Sequence, residues 1–88
     1  MLSSVYLKSF EKEIARDKRR GKNLANLRKV MKMIIYEEPL PPKYRNHKLK
    51  GEFEGYWECH VEPDWLLLYK KTGTHVYFAR TGTHSDLF

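Results

Sequence analysis

Tyr56-Trp57-Glu58-Cys59-His60-Val61, then Trp65-Leu66-Leu67-Leu68-Tyr69-Lys70, then Thr74-His75-Val76-Tyr77-Phe78-Ala79-Arg80 are the runs whose reading decides the fold. Each is rich in β-branched, aromatic or aliphatic residues, and Glu62-Pro63-Asp64 and Lys71-Thr72-Gly73 lie between them. Such runs, bounded by Pro, Asp and Gly, read as three successive strands and their turns. Links this short join antiparallel neighbours. Leu66, Leu67 and Leu68 in a row mark the middle run as a central strand covered on both faces. Alternation sets Tyr56, Glu58 and His60 on one face of the first run, and Trp57, Cys59 and Val61 on the other.

Upstream, Pro39, Pro41 and Pro42 disfavour helix and impose an extended connection. Before them Leu24, Leu27, Met31, Ile34 and Ile35 recur mainly at three- and four-residue steps, which predicts a helix from about Asn23. Phe10 and Ile14 share the buried face of an earlier helix. Ser9 is its expected N-cap and Gly21 its expected stop. Lys12, Arg16, Asp17 and Lys18 to Arg20 are expected to stay mostly wet. Ser3 to Leu7 can form a brief first strand. The order is β-α-α-β-β-β, an α+β fold with a mainly antiparallel sheet and two helices on one face. Residues 1–88 are expected to form one domain.

Seventeen Lys and Arg against eleven Asp and Glu give a net charge of +6, which favours a polyanionic partner and says nothing about fold. A hydrophobic fraction of 41% is ordinary for a globular chain and argues against disorder. The one cysteine, Cys59, has no internal partner, so a reducing compartment is expected. No apolar run is long enough to span a membrane, and Met1 to Leu7 lacks the marks of a signal peptide. A cytoplasmic protein is the expectation.

Four side chains in short motifs are candidates for proton transfer: His47, His60, Asp64 and His84. One histidine alone more often serves structure, and His75, inside a strand, is read that way. Three near the expected sheet ends argue for a shared site. RNA cleavage by internal attack needs a base for the 2′-hydroxyl, an acid for the 5′-oxygen and cations for the charge on phosphorus. Histidines can be base and acid, Arg80 the cation, and Asp64 the group that orients a ring. The 2′-hydroxyl is itself the nucleophile, so neither metal nor other cofactor is required. No H-x-x-x-H or C-x-x-C pair pre-forms a metal site, and Ser85-His84-Asp86 lacks the geometry of a triad. Cys59 is expected to be an inert thiol. The basic run Arg16, Lys18, Arg19, Arg20, Lys22, Arg28, Lys29 and Lys32 is either a solvated helix surface or a phosphate-binding one. Trp65 and Tyr56 are core candidates by type, whereas Phe88 is poorly placed for burial and can stack on a base.

Across nearly all its length the chain resembles the YafQ branch of the RelE superfamily, bacterial toxins that cut messenger RNA in the ribosomal decoding site. The motifs that carry the resemblance are His47-Lys48-Leu49-Lys50-Gly51, His60-Val61-Glu62-Pro63-Asp64-Trp65, and Arg80-Thr81-Gly82-Thr83-His84 through Leu87-Phe88. The resemblance implies a microbial-ribonuclease-like sheet with two helices packed on it. It also implies an active site of His47, His60, Asp64 and His84, with His84 as general acid and His47 or His60 as base helped by Asp64. Arg80 and Phe88 would meet the scissile phosphate and message bases, Trp65 would be a flanking aromatic, and Lys48 and Lys50 would contact substrate. The implied partners are mRNA, the 70S ribosome at its A site, and an antitoxin that inactivates the toxin. Other readings are a non-catalytic RNA- or ribosome-binding module with structural histidines, a metal-dependent hydrolase, and an accessory protein that binds only another chain.

Overall fold

A computed structural model describes residues 1–88. Strand β1 (Ser3–Tyr6) is followed by helices α1 (Lys8–Arg19) and α2 (Ala25–Ile35). A 3₁₀ turn at Pro42–Tyr44 leads to β2 (His47–Lys48), and another at Gly51–Phe53 leads to β3 (Trp57–Glu62). Then come β4 (Trp65–Lys71), β5 (His75–Gly82) and a one-turn helix, α3 (His84–Leu87). The α+β reading of the sequence is borne out, with the two-residue β2 and four-residue α3 added to it. The five strands form one sheet in the order β1-β5-β4-β3-β2. Only β1 and β5 run parallel; the other pairs are antiparallel.

Both helices pack on one face of this sheet. Phe10, Leu24, Leu27, Val30 and Ile34 meet Cys59, Val61, Trp65, Leu67, Tyr69, Val76 and Phe78 there, within a core of 14 buried residues. The opposite face holds a small cluster of Leu66, Leu68 and Leu87, flanked by Leu49 and Phe53. The run of three leucines is therefore buried on both sides, as its composition implies.

A bulge decides what reaches the open face. Tyr69 pairs with Phe78 but Leu68 pairs with Arg80, leaving Ala79 as the extra residue. Strict alternation from Phe78 would send Arg80 toward the helices; the bulge turns it to the open side, level with Leu68.

Helix α1 begins at Lys8 with Leu7 as N-cap and no side-chain cap. Ser9 is not the cap expected of it, because its hydroxyl donates to the Ala79 carbonyl at 2.7 Å. Further along α1, Glu13 Oε1 accepts from the Thr81 N–H at 3.2 Å and Arg16 Nη2 donates to the Thr81 carbonyl at 3.0 Å. Residues 9, 13 and 16 lie on one helix face. They satisfy the β5 edge where β1 has ended, the role another strand would otherwise fill. Asp17 also departs from expectation: it is 1% exposed, with Arg16 at 3.2 Å and Arg20 at 3.8 Å from Oδ1. Gly21 ends α1 as its residue type suggests. At φ 80° it lets the Gly21 and Lys22 N–H groups return to the carbonyls of Lys18 and Asp17.

Candidate active site

The open face gathers residues from four places in the chain. His47 on β2 lies opposite Glu58 on β3, and His60 follows two residues later on the same face. Asp64 sits in the β3–β4 turn, and His84 opens α3 immediately past β5. The rings form a row, with centroids 6.5 Å apart from His47 to His60 and 5.6 Å from His60 to His84.

Each outer histidine has its Nδ1 fixed. In His47 it donates to the Arg45 carbonyl at 2.7 Å, since a carbonyl only accepts. Arg45 takes a left-handed conformation, φ 48°, at the close of the Pro42–Tyr44 turn. The neighbouring Asn46 Oδ1 accepts from the buried Tyr69 hydroxyl at 2.7 Å, tying this segment to the core. In His84 the ring Nδ1 and the backbone N–H both meet Asp64 Oδ1, at 2.6 and 3.0 Å. The backbone N–H first, then the ring, hold the Asp64 carboxyl below the ordinary carboxylate range, and Lys22 acts in the same sense. Nδ1 is thereby engaged in both rings, which leaves Nε2 of His84 to meet a substrate and turns Nε2 of His47 toward Glu58.

The seat of His84 is braced from below. Thr83 Oγ1 accepts from the Asp86 N–H and Asp86 Oδ2 accepts from the Thr83 N–H, a reciprocal cap. Arg20 Nη1 donates to Asp86 Oδ2 at 3.0 Å, and Arg16 Nη2 lies 3.3 Å from the same oxygen. Arg20 first, then the Thr83 N–H, and also Arg16, hold the Asp86 carboxyl down at about 2. A Cβ on Gly82 would come within 2.7 Å of Arg16 Nη2 and 2.9 Å of Asp86 Cβ, so the close approach of β5 to α3 requires glycine there. Two arginines of the basic run thus serve this bracket.

His47, His60, Asp64 and His84 come together, and Glu58 joins them. Its Oε1 lies 3.5 Å from His47 Nε2 and 3.6 Å from His60 Nε2, and the residue is only 7% exposed. Alternation had already set Glu58 on the face of His60, a signal that went unused. The carboxylate beside the His47–His60 pair is therefore Glu58, whereas the expected helper, Asp64, serves His84. Lys29, Lys43 and Arg45 line a groove that runs from His60 toward α2, and only Lys29 of the three stood out in the sequence.

Two other expectations, Trp65 and Lys48, need correction. Trp65 is 1% exposed, donates its indole N–H to Thr81 Oγ1 at 3.0 Å, and lies in the helix-side core, so it offers no face to a base. Lys48 pairs with Trp57, places its Nζ 5.4 Å from that ring, and points away from His47 because successive strand residues face opposite ways. Arg80 reaches the open face but stands beyond Leu68 from Glu58, and its guanidinium meets Glu13 through Nε and Nη2. Phe88 is 62% exposed and contacts Phe53 edge-on at 5.5 Å. Lys50 is exposed, next to the Gly51–Phe53 turn. Cys59 is buried on the helix side, and burial, then Glu58, push its thiol up to about 12, consistent with an inert residue. No group of three or more His, Cys, Asp or Glu side chains is arranged to hold a metal ion. No helix is long and apolar enough to cross a membrane.

The chain is 40% identical over 84 residues to the mRNA interferase toxin YafQ of Escherichia coli K12, covering 94% of this chain and 91% of that one. It superposes on a chain of the E. coli DinJ–YafQ complex with a TM-score of 0.93 and 38% identity, covering 100% and 99% of the two. A metal-bound toxin from Helicobacter pylori gives a TM-score of 0.92 at 38% identity, with both chains covered in full. The family model for the YafQ bacterial toxin of type II toxin–antitoxin systems matches residues 2–88. The chain belongs to the YafQ family of type II toxin–antitoxin toxins.

Proposed function

We propose that this toxin is a ribosome-dependent endoribonuclease that cuts messenger RNA in the decoding A site, acting in the cytoplasm and without a metal. The observation that carries the reading is the row of His47, His60 and His84 on one open face, with Glu58 and Asp64 against the rings. The E. coli relative of matching length is named an mRNA interferase.

The chemistry follows from the two pairings. One ring of the His47–His60 pair takes the proton of the 2′-hydroxyl as that oxygen bonds to the adjacent phosphorus. Glu58 offers negative charge to the imidazolium so formed. The bond from phosphorus to the 5′-oxygen breaks, and protonated His84 gives its Nε2 proton to the departing oxygen, with Asp64 holding the ring. The products are a 2′,3′-cyclic phosphate and a 5′-hydroxyl, and the two proton transfers balance. The nucleophile belongs to the RNA, so no metal-bound water is needed. Lys29, Lys43, Arg45, Lys50 and Arg80 meet phosphates, and Phe88 stacks on a base. The ribosome presents its codon splayed for attack, which spares so small a protein the task of positioning it.

Crystals of the E. coli relative contain DinJ, and we infer a cognate antitoxin here as well. A partner of acidic character would complement the net charge of +6.

Primer extension on a defined message bound to ribosomes tests the reading. New cuts inside the A-site codon, absent without ribosomes and absent with His84→Ala, are the expected result. Equal cutting by His84→Ala would leave a binding module whose histidines are structural. The cut ends test the metal-free chemistry: a 2′,3′-cyclic phosphate and a 5′-hydroxyl are expected, and 3′-hydroxyl and 5′-phosphate ends would overturn it.

A further inference from the structure

The open face carries a second concavity that the histidine row does not use. It lies beside the ridge where Phe53 meets Phe88, with Ser9, Glu52, Phe53, Tyr56, Leu68 and Arg80 among its lining. Arg80 is fastened there: Nε donates to both Glu13 oxygens at 2.9 and 3.0 Å, Nη2 lies 2.8 Å from Oε2, and Nη1 has no protein partner. Phe53 and Tyr56 form half-buried aromatic walls over the aliphatic floor of Leu68. Glu52 is exposed and makes no ion pair. An unpaired surface carboxylate is ordinary by itself. Lining the same concavity as two aromatic rings and a braced guanidinium, it has a ligand to meet.

We propose that this concavity is a nucleotide subsite for a base of the message flanking the cut, and that Glu52 makes it favour bases whose edge carries amine donors. The proposal rests on the endoribonuclease reading of the histidine row. Arg80 holds the phosphate, Phe53 and Tyr56 enclose the base, and the Glu52 carboxylate accepts hydrogen bonds. A carboxylate cannot donate. Guanine offers adjacent N1–H and N2–H donors and fits best; adenine and cytosine offer one exocyclic amine each. Uracil sets carbonyl oxygens on both sides of its single N–H, which places acceptor against acceptor and disfavours it. The ridge joins the subsite to the catalytic row: Phe88 closes the turn that His84 opens, so a strand lying along the face passes from one to the other.

The test is to sequence the cut ends from ribosome-bound messages randomised through the A-site codon and its flanks, using the full-length chain and Glu52→Gln. Glutamine preserves size and removes the charge from an exposed turn, so folding is not at stake. The expected result is one position at which guanine exceeds uracil by about tenfold in the unaltered protein and by less than about threefold in Glu52→Gln. Tyr56→Leu should flatten the same position, because a base without its stacking wall is no longer held against the Glu52 carboxylate. Identical base distributions in all three proteins would overturn the subsite and leave the nuclease reading intact. A uniform rise in cutting by Glu52→Gln would overturn it too, since that shows only the loss of a negative charge. No cutting by the unaltered protein would overturn the nuclease reading, and the subsite with it.

Discussion

The two faces of the sheet come from the same strands, yet one is filled and the other is left open. On the helix side, Cys59, Val61, Trp65, Leu67, Tyr69, Val76 and Phe78 belong to a core of 14 buried residues. On the other side a three-residue cluster of Leu66, Leu68 and Leu87 is all that is buried as apolar core, and the titratable groups stand around it. The pleat hands alternate residues to each face, so one strand serves stability and chemistry at once without either compromising the other. Substitutions should therefore separate cleanly according to the face they touch.

His84→Ala is the sharpest probe of the open face. Cutting on ribosomes should fall by about 10²- to 10⁴-fold, the usual worth of an acid or base, while urea unfolding changes by no more than about 0.5 kcal/mol. Leu67→Ala probes the other face. It should cost about 2–5 kcal/mol in urea unfolding and leave the rate per folded molecule unchanged. A large rate loss there would break the division. Glu58→Gln tests the intermediate case of a buried group that faces the site. Removing that charge from beside two imidazoles should slow single-turnover cutting by roughly 10- to 100-fold.

The smallest effect belongs to the bracket under His84. Asp86→Asn should cost about 1 kcal/mol near neutrality, through a weakened cap and exposed ion pairs. The folded carboxyl at about 2 lies below the ordinary value of about 3.9, so its contribution is full above that value and fades as pH falls toward 2. Urea midpoints of the two proteins should converge over that range.

Strands β3 to β5 were legible because composition and turn residues agreed over whole runs, and residues missing from such runs were harder to read. Strand β2 has two residues and α3 has four, too few for any period to show. The cap of α3 could still have been read, since Thr83 precedes Asp86 by three. Ser9 misled because a hydroxyl before a helical run and a hydroxyl against a strand edge look alike until β5 is in place. Asp17 looked solvated for the same reason: its burial depends on how the Arg16 and Arg20 side chains fold around it. The histidines were visible as motifs, but their pairing was not. Glu58 and Asp64 find their rings through register across β2–β3 and through the β5–α3 corner, which are long-range facts.

Strand β1 and helix α1 hold β5 across the longest sequence separations in the molecule: Ser3 pairs with His75, 72 positions on, and Ser9 bonds Ala79, 70 positions on. Closing such loops is the slow part of folding, because chain entropy is lost before the contacts return anything. Arg80 and the bracket under His84 have no seat until that closure occurs. A partly folded chain, even with β3 and β4 paired and His60 in place, would lack the acid that the proposed reaction needs. On the proposed mechanism, no half-made form of the toxin should cut.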